Sequence, residues 1–162
     1  MEHARVATAA DIRALETLRD QAVAELDGER GGALLAGTVT SSEPPDLALR
    51  RALDDPERLI VLGTLDGVEV GFASVRRDAA RRQPIGVIEG IYVEPSARQI
   101  GVGEAMVDLV RSWCWGRGCR GIDAPALPGS RAAKAFFEDH GFVARLLVMH
   151  HSLTEPRVGE LD

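Results

Sequence analysis

The sequence predicts one mixed α/β domain over residues 1–162, with a central sheet of six to seven strands flanked by about four helices. Three observations carry this. Strand-like runs occur back to back, as at Leu59–Leu65 and Val68–Val75, and also alternate with segments whose apolar residues recur at helical spacing. The chain has 162 residues, enough to enclose one hydrophobic core without staples. Apolar residues make up 45% and charged residues 27%, the profile of an ordinary globular protein. With 4% aromatic residues, the core must be built mainly of Leu, Val, Ile and Ala.

In chain order, Arg5 to Ala7 reads as a short first strand. Thr8 and Asp11 have the spacing of a helix-start capping pair. Ile12, Leu15, Leu18, Ala22, Val23 and Leu26 then form one apolar helix stripe. Asp27 to Pro45 holds four Gly, Ser41-Ser42 and Pro44-Pro45, and reads as a long functional or mobile loop with a helical turn at Ala33–Ala36. Asp46 to Leu53 is a short helix. Asp66-Gly67 is a favoured turn pair between two β-rich runs, so Leu59 to Val75 is a hairpin. Arg76 to Arg82 reads as a solvated polar loop. Ile85 to Val93 is a strand whose two glycines permit a bulge or a close ligand approach. A helix from about Val102 to Arg117 has Met106, Leu109, Val110, Trp113 and Cys114 on its apolar side. Gly121 to Ala126 is a strand cut by prolines, and Ser130 to His140 is a helix closed by Gly141. Phe142 to Leu153 supplies one or two final strands, and the tail after Thr154 reads as frayed.

Charge and cysteine usage exclude some classes. The net charge is −6 and the pI about 5.3, opposite in sign to the basic field of a nucleic-acid binder and suited to cationic small molecules. Cys114 and Cys119 have a C-x4-C spacing that is neither a redox C-x-x-C nor a zinc set, and read as two reduced thiols. His150 and His151 are adjacent on an expected strand and so face opposite sides; no metal is expected. His140 reads as a helix C-terminal residue, favoured there by the dipole. Met1 to Val6 lacks signal-peptide regions and no apolar run is long enough for a membrane span, so the cytoplasm is the expected address.

The chemistry centres on a strand, a turn, a Gly-containing loop and a helix. Arg98-x-x-Gly101-x-Gly103 lies where the Ile85–Val93 strand hands over to the next helix. A helix N-terminus presents unpaired N–H groups and the positive end of its dipole, so it receives anions. Glycines let a pyrophosphate approach the backbone, and Arg98 can add a charge-assisted hydrogen bond. A P-loop ending is absent. A dinucleotide fingerprint would need a third glycine where Met106 stands, and a shorter lead from the strand, although Asp123 lies at a ribose-contacting distance.

Val93-x-Pro95-x-x-Arg98-x-x-Gly101-x-Gly103 resembles the acetyl-CoA signature of the GNAT N-acetyltransferase superfamily. Ser130-x-x-Ala133-x-x-x-Phe137-x-x-x-Gly141-Phe142 is similar to that family's N-x-x-A-x-x-x-Y-x-x-x-G-F block. The resemblance spans Leu59 to Leu153. It implies a sheet splayed beside the Ile85–Val93 strand, with acetyl-CoA as co-substrate. Ile91, Tyr92 and Val93 would flank the pantetheine, with backbone groups of Ile91 and Val93 pairing to it. Arg98, Gln99, Ile100, Gly101, Val102, Gly103 and Glu104 would surround the pyrophosphate, and Ser130 and Phe137 would lie near the thioester. The family's Asn is Ser130 here, and its Tyr, the usual proton donor to the leaving thiolate, is Phe137.

The implied reaction is direct attack of a primary amine on the thioester. An alkylammonium must first lose a proton, and Glu89, a charged residue inside an apolar strand, is the candidate base. The Val93 N–H is the candidate oxyanion donor. Tyr92 points away from Ile91 and Val93 by strand alternation. Asp27, Glu29, Glu43 and Asp46 bracket a loop that in the family often covers the acceptor pocket. The string Ile88–Val93, with Trp113 and Gly118-Cys119, is similar to aminoglycoside 6′-acetyltransferases. Three readings stay open: an amine N-acetyltransferase with a small cationic acceptor, a non-catalytic acyl-CoA-binding or regulatory module, and a peptide N-acetyltransferase. A homodimer is expected from the family; no nucleic-acid or membrane partner is expected.

Overall fold

The computed structural model describes residues 1–39, 43–80 and 82–153; Ser41-Ser42 and the segment after Thr154 lie outside the described residues. Five strands form one sheet in the order β1 (Glu2–Val6), β2 (Arg58–Leu65), β3 (Val68–Asp78), β4 (Ile85–Val93) and β5 (Ile122–Asp123). Neighbours are antiparallel except β4 and β5, which are parallel. The helices are α1 (Ile12–Asp27), α2 (Gly32–Val39), α3 (Pro45–Asp54), α4 (Val102–Gly116) and α5 (Arg131–Asp139).

Two cores sandwich the sheet. Leu59 and Val61 of β2 face a core with Val75, Ile88, Val102, Met106 and Val110, whereas Ile60 and Leu62 face one with Leu15, Leu18, Leu49, Phe72 and Tyr92. The unbroken apolar run Leu59–Leu62 thus serves both faces of a covered sheet. α4 packs on the first face, α1 and α3 on the second.

Local chemistry sets most boundaries. Asp66 and Gly67 both have positive φ, 50° and 84°, as a two-residue hairpin turn requires. The Asp11 carboxylate accepts the Thr8 N–H at 2.8 Å, closing the expected cap through a short 3₁₀ turn at Ala9–Asp11. α5 ends in a Schellman arrangement. Gly141 has φ 85°, its N–H reaches the Glu138 carbonyl, the Phe142 N–H reaches the Phe137 carbonyl, and the two phenyl rings meet at a tilt of 60° with 5.1 Å between centres.

α4 ends the same way. Gly118 N–H bonds the Trp115 carbonyl and Cys119 N–H the Cys114 carbonyl. That geometry brings the third residue before the cap against the second after it, which accounts for the C-x4-C spacing. Both thiols are free and buried.

Four expectations need correction. The sheet has five strands among the described residues, not six or seven, because residues 143–153 are exposed and pair with no strand. β3 continues through Arg76 and Arg77 to Asp78, since β2 and β4 pair with it on both sides. The strand after Gly121 is only two residues long, because Pro125 and Pro128 follow and proline cannot donate to a ladder. Of the long loop, residues 32–39 form α2.

Candidate active site

β5 pairs with β4 only at Gly86↔Ile122 and Val87↔Asp123. Among the described residues β4 has no strand on that side from Ile88 onward, so the sheet splits. A cavity of about 150 Å³ lies in this region, lined on β4 by Ile88–Tyr92 and opposite by Pro125–Leu127, Ser130 and Phe137. The Glu94 N–H bonds the Val70 carbonyl on β3 at 2.8 Å. Consecutive N–H groups of a strand alternate sides, so the backbone groups of Ile91 and Val93 face the split.

The register jumps between Ser74↔Gly90 and Val75↔Ile88. Glu89 is therefore the extra residue of a β-bulge, the feature the glycines allowed. The bulge turns Ile88 and Ile91, three residues apart, into the same core. Glu89 points to the opposite face. There a larger cavity of about 400 Å³ is lined by Leu15, Leu49, Phe72 and Ser74 together with Glu43, Asp55, Arg58 and Glu89. The two cavities share Arg19, Phe72, Glu89 and Gly90, so Glu89 stands where they meet.

Glu89 is not a lone carboxylate. Arg58 Nη1 donates to its Oε2, and Arg76 Nε donates to its Oε1 at 3.2 Å. Arg58 and Arg76 are cross-strand partners on β2 and β3. Arg58 Nε also reaches Asp55 Oδ2 at 3.2 Å. Sequence reasoning singled out Glu89 and missed both arginines; the available signal was an arginine opening the apolar run Leu59–Leu62.

The loop after β4 forms a 3₁₀ turn at Pro95–Ala97, then Gln99 with φ 63° and Gly101 with φ 94° at the N-cap of α4. Two left-handed residues turn the chain so that α4 starts beside the end of β4. Ile100 and Glu104 are exposed, and Val102 is buried in the core. The first N–H groups of α4 have no partner within the helix. Gly103 has a second reason to be glycine: a Cβ there would stand 2.9 Å from the Phe136 ring. Arg98 donates from Nε to the Val93 carbonyl at 2.8 Å, pairs with both oxygens of Glu25 on α1, and lies 5.7 Å from the centre of the Tyr92 ring.

Ser130 stands at the N-cap position of α5, without a side-chain capping bond, and lines the smaller cavity with Phe137. Phe137 is buried between Phe136 and Phe142. Tyr92 belongs to the core under α1 and α3, and burial pushes its hydroxyl pKa up. It also borders the smaller cavity that Ser130 and Phe137 line. His140 is the C-cap of α5, with Nδ1 2.6 Å from the Phe136 carbonyl oxygen. Of the loop acids, Glu29 lines the smaller cavity and Glu43 the larger, while Asp27 and Asp46 line neither. No group of three or more potential metal ligands occurs among the described residues.

A mixed sheet split beside β4, with a glycine-capped helix following that strand, is a fold that solved structures share. One is the aminoglycoside acetyltransferase AAC(6′)-Iy in complex with a CoA–acetylneamine bisubstrate analogue (TM-score 0.73, 22% identity, 95% of this chain and 99% of that one). Another is an aminoglycoside acetyltransferase from an uncultured soil metagenomic sample in complex with sisomicin (TM-score 0.72, 15% identity, 94% and 95% covered). The model of the Acetyltransferase (GNAT) family matches residues 36–142, and the chain belongs to that family. Among curated proteins it is 34% identical over 93 residues to the aminoglycoside N(6′)-acetyltransferase type 1 of Stenotrophomonas maltophilia, and 40% identical over 68 residues to that of Klebsiella aerogenes. These alignments cover 54% and 40% of this chain, and only 61% and 45% of those relatives' lengths.

Proposed function

We propose that this chain, acting as one domain, is an acetyl-CoA-dependent N-acetyltransferase that acts on a primary amine of a small cationic acceptor of the aminoglycoside kind. The observation that carries the reading is Glu89 on its bulge, at the meeting point of the sheet split and the larger cavity. The acetyl-CoA arm fits the split because Ile91 and Val93 turn their backbone groups toward it. The Val93 N–H is then the donor to the oxyanion. The amides from Gln99 to Glu104 at the start of α4, with Ile100, Gly101, Val102 and Gly103 between them, suit the pyrophosphate. Arg98 braces this loop against α1, and Ser130 and Phe137 close the thioester end.

The acceptor amine enters from the larger cavity and transfers its proton through a water to Glu89. Its nitrogen attacks the thioester carbon, the adduct nitrogen loses its second proton to water, the C–S bond breaks, and CoA leaves as the thiolate. Phe137 has no proton to give, so the thiolate leaves without a side-chain acid; a thiol pKa near 8.5 makes that tolerable at neutral pH.

The reading extends to a cytoplasmic homodimer. Among the described residues no helix is long and apolar enough to cross a membrane. Val143, Leu146, Leu147, Val148 and Met149 are 69–83% exposed, a run of apolar side chains that a second copy would cover.

The test has two parts. Acetyl-CoA and CoA, but not NAD, should raise the melting temperature; no shift with either CoA species overturns the cofactor reading. Thiol release should then follow with sisomicin or a polyamine, and Glu89→Gln should abolish it while leaving the acetyl-CoA shift intact. Binding without release for any amine or peptide N-terminus would make the chain an acyl-CoA-binding module instead.

A further inference from the structure

We propose that Arg58 is a resident cation of the acceptor subsite, seated between Asp55 and Glu89 where the substrate ammonium must sit, and that the acceptor binds by displacing it. The inference rests on the acetyltransferase reading above. An acceptor ammonium held beside Glu89, with one water between its proton and the base, needs carboxylate contacts on this wall of the cavity. Both Glu89 oxygens are occupied: Arg58 holds Oε2 and Arg76 holds Oε1. The two arginines differ in position. Arg58 lines the larger cavity beside Asp55, Ser74 and Glu89, whereas Arg76 is not among its lining residues. Arg58 is therefore the one that an incoming group meets.

Its contacts are those an ammonium would make. One guanidinium spans two carboxylates, Asp55 through Nε and Glu89 through Nη1, on the wall of an open cavity. The other acid of that cavity, Glu43, pairs with Arg51 at 2.7 Å. A cationic acceptor thus competes with an arginine for each of these carboxylates. The exchange is feasible because the partners are not deeply buried: the Arg58, Asp55 and Glu89 side chains are 29%, 37% and 27% exposed, and such pairs are weak. A long flexible arginine can swing to water at the cavity mouth, and an acceptor with two or more ammonium groups can replace its bridge at both carboxylates. Arg76 stays and keeps Glu89 aimed. Arg58 therefore sets a threshold that favours polycationic amines over monoamines.

The test uses the whole chain without acetyl-CoA and sisomicin as probe, followed by calorimetry. Arg58→Met keeps the aliphatic stem and removes the competing charge. It should tighten sisomicin binding roughly three- to tenfold, the size of one or two part-exposed ion pairs. Arg58→Gln should act in the same direction, and Arg58→Lys should stay near wild type. In turnover, Arg58→Met should lower KM for the amine and should narrow the preference for polyamines over monoamines. Unchanged or weaker sisomicin binding in a folded Arg58→Met or Arg58→Gln chain overturns the proposal, as does no binding to any variant. Tighter binding without thiol release from any amine would leave the subsite standing and sink the acetyltransferase reading.

Discussion

Gly103 in the first turn of α4 lies directly under the ring of Phe136 on α5: a Cβ on Gly103 would meet Phe136 Cε2 at 2.9 Å and Cζ at 3.0 Å. Two helices that flank the candidate site are therefore joined where only a hydrogen fits. Gly103→Ala should lower unfolding stability by about 1–3 kcal/mol, the usual cost of overpacking. Adding Phe136→Leu should recover part of that loss. Urea unfolding of the two single variants and the double variant checks this; full additivity would mean that the contact does not limit packing.

Arg5 donates to both oxygens of Asp11 at 2.8 Å, and to Glu69 at 3.1 Å. The guanidinium, with Thr8, holds the Asp11 carboxyl well below the usual carboxylate range despite its burial. A depressed folded-state pKa contributes stability above the unfolded pKa of about 3.9, which is lost as pH falls through the folded value. Asp11→Asn should cost about 1–2 kcal/mol at pH 7, discounted for the partial exposure of Arg5. It should also flatten the stability profile below pH ~4. Thermal melts from pH 7 to pH 2 measure both effects.

Burial pushes the Cys114 thiol up to about 12, with Cys119 beside it adding to the shift. The thiol stays protonated in the fold, while the unfolded chain ionises near pH 8.5. Stability from this group is thus present below pH ~8.5 and declines as pH rises toward 12. An aromatic disulfide reagent at pH 8 should leave Cys114 unmodified in the native protein and label it on denaturation. Rapid native labelling of Cys114 would contradict the packing of the α4 C-terminus.

Arg98 ties its loop to β4 and α1, through the Val93 carbonyl, the Tyr92 ring and Glu25 of α1. Arg98→Ala should lower stability by about 1 kcal/mol, since these contacts are part-exposed. It should weaken acetyl-CoA binding as the loop loses its brace. The effect should be non-additive with Glu25→Gln in a double-mutant cycle. Strict additivity would show that the ion pair contributes nothing.

The features legible in the sequence were those that one stretch of chain decides. Asp66-Gly67, Gly118 and Gly141 take left-handed backbone conformations that other residues resist, so their turns and caps could be read locally. The helical stripes of α1 and α4 were equally plain. Glu89 was legible as a charge inside an apolar strand, and the loop from Arg98 to Gly103 as a glycine-containing helix start. Residues 143–153 carry apolar residues suited to strands, but a strand exists only when another backbone accepts its hydrogen bonds.

The sequence by itself determined the α/β class, the order of the main elements, the glycine caps and the loop that leads into α4. These follow from backbone sterics and from the period of apolar residues, which act over a few positions. Tertiary structure alone decided what surrounds Glu89. The bulge arises from a register shift against β3, and its partners Arg58 and Arg76 come from β2 and β3, 31 and 13 residues away. The second reason for Gly103 likewise comes from Phe136 on another helix. Such contacts depend on how separate elements pack and pair, and no periodicity along the chain records the distance between side chains that meet only across a sheet.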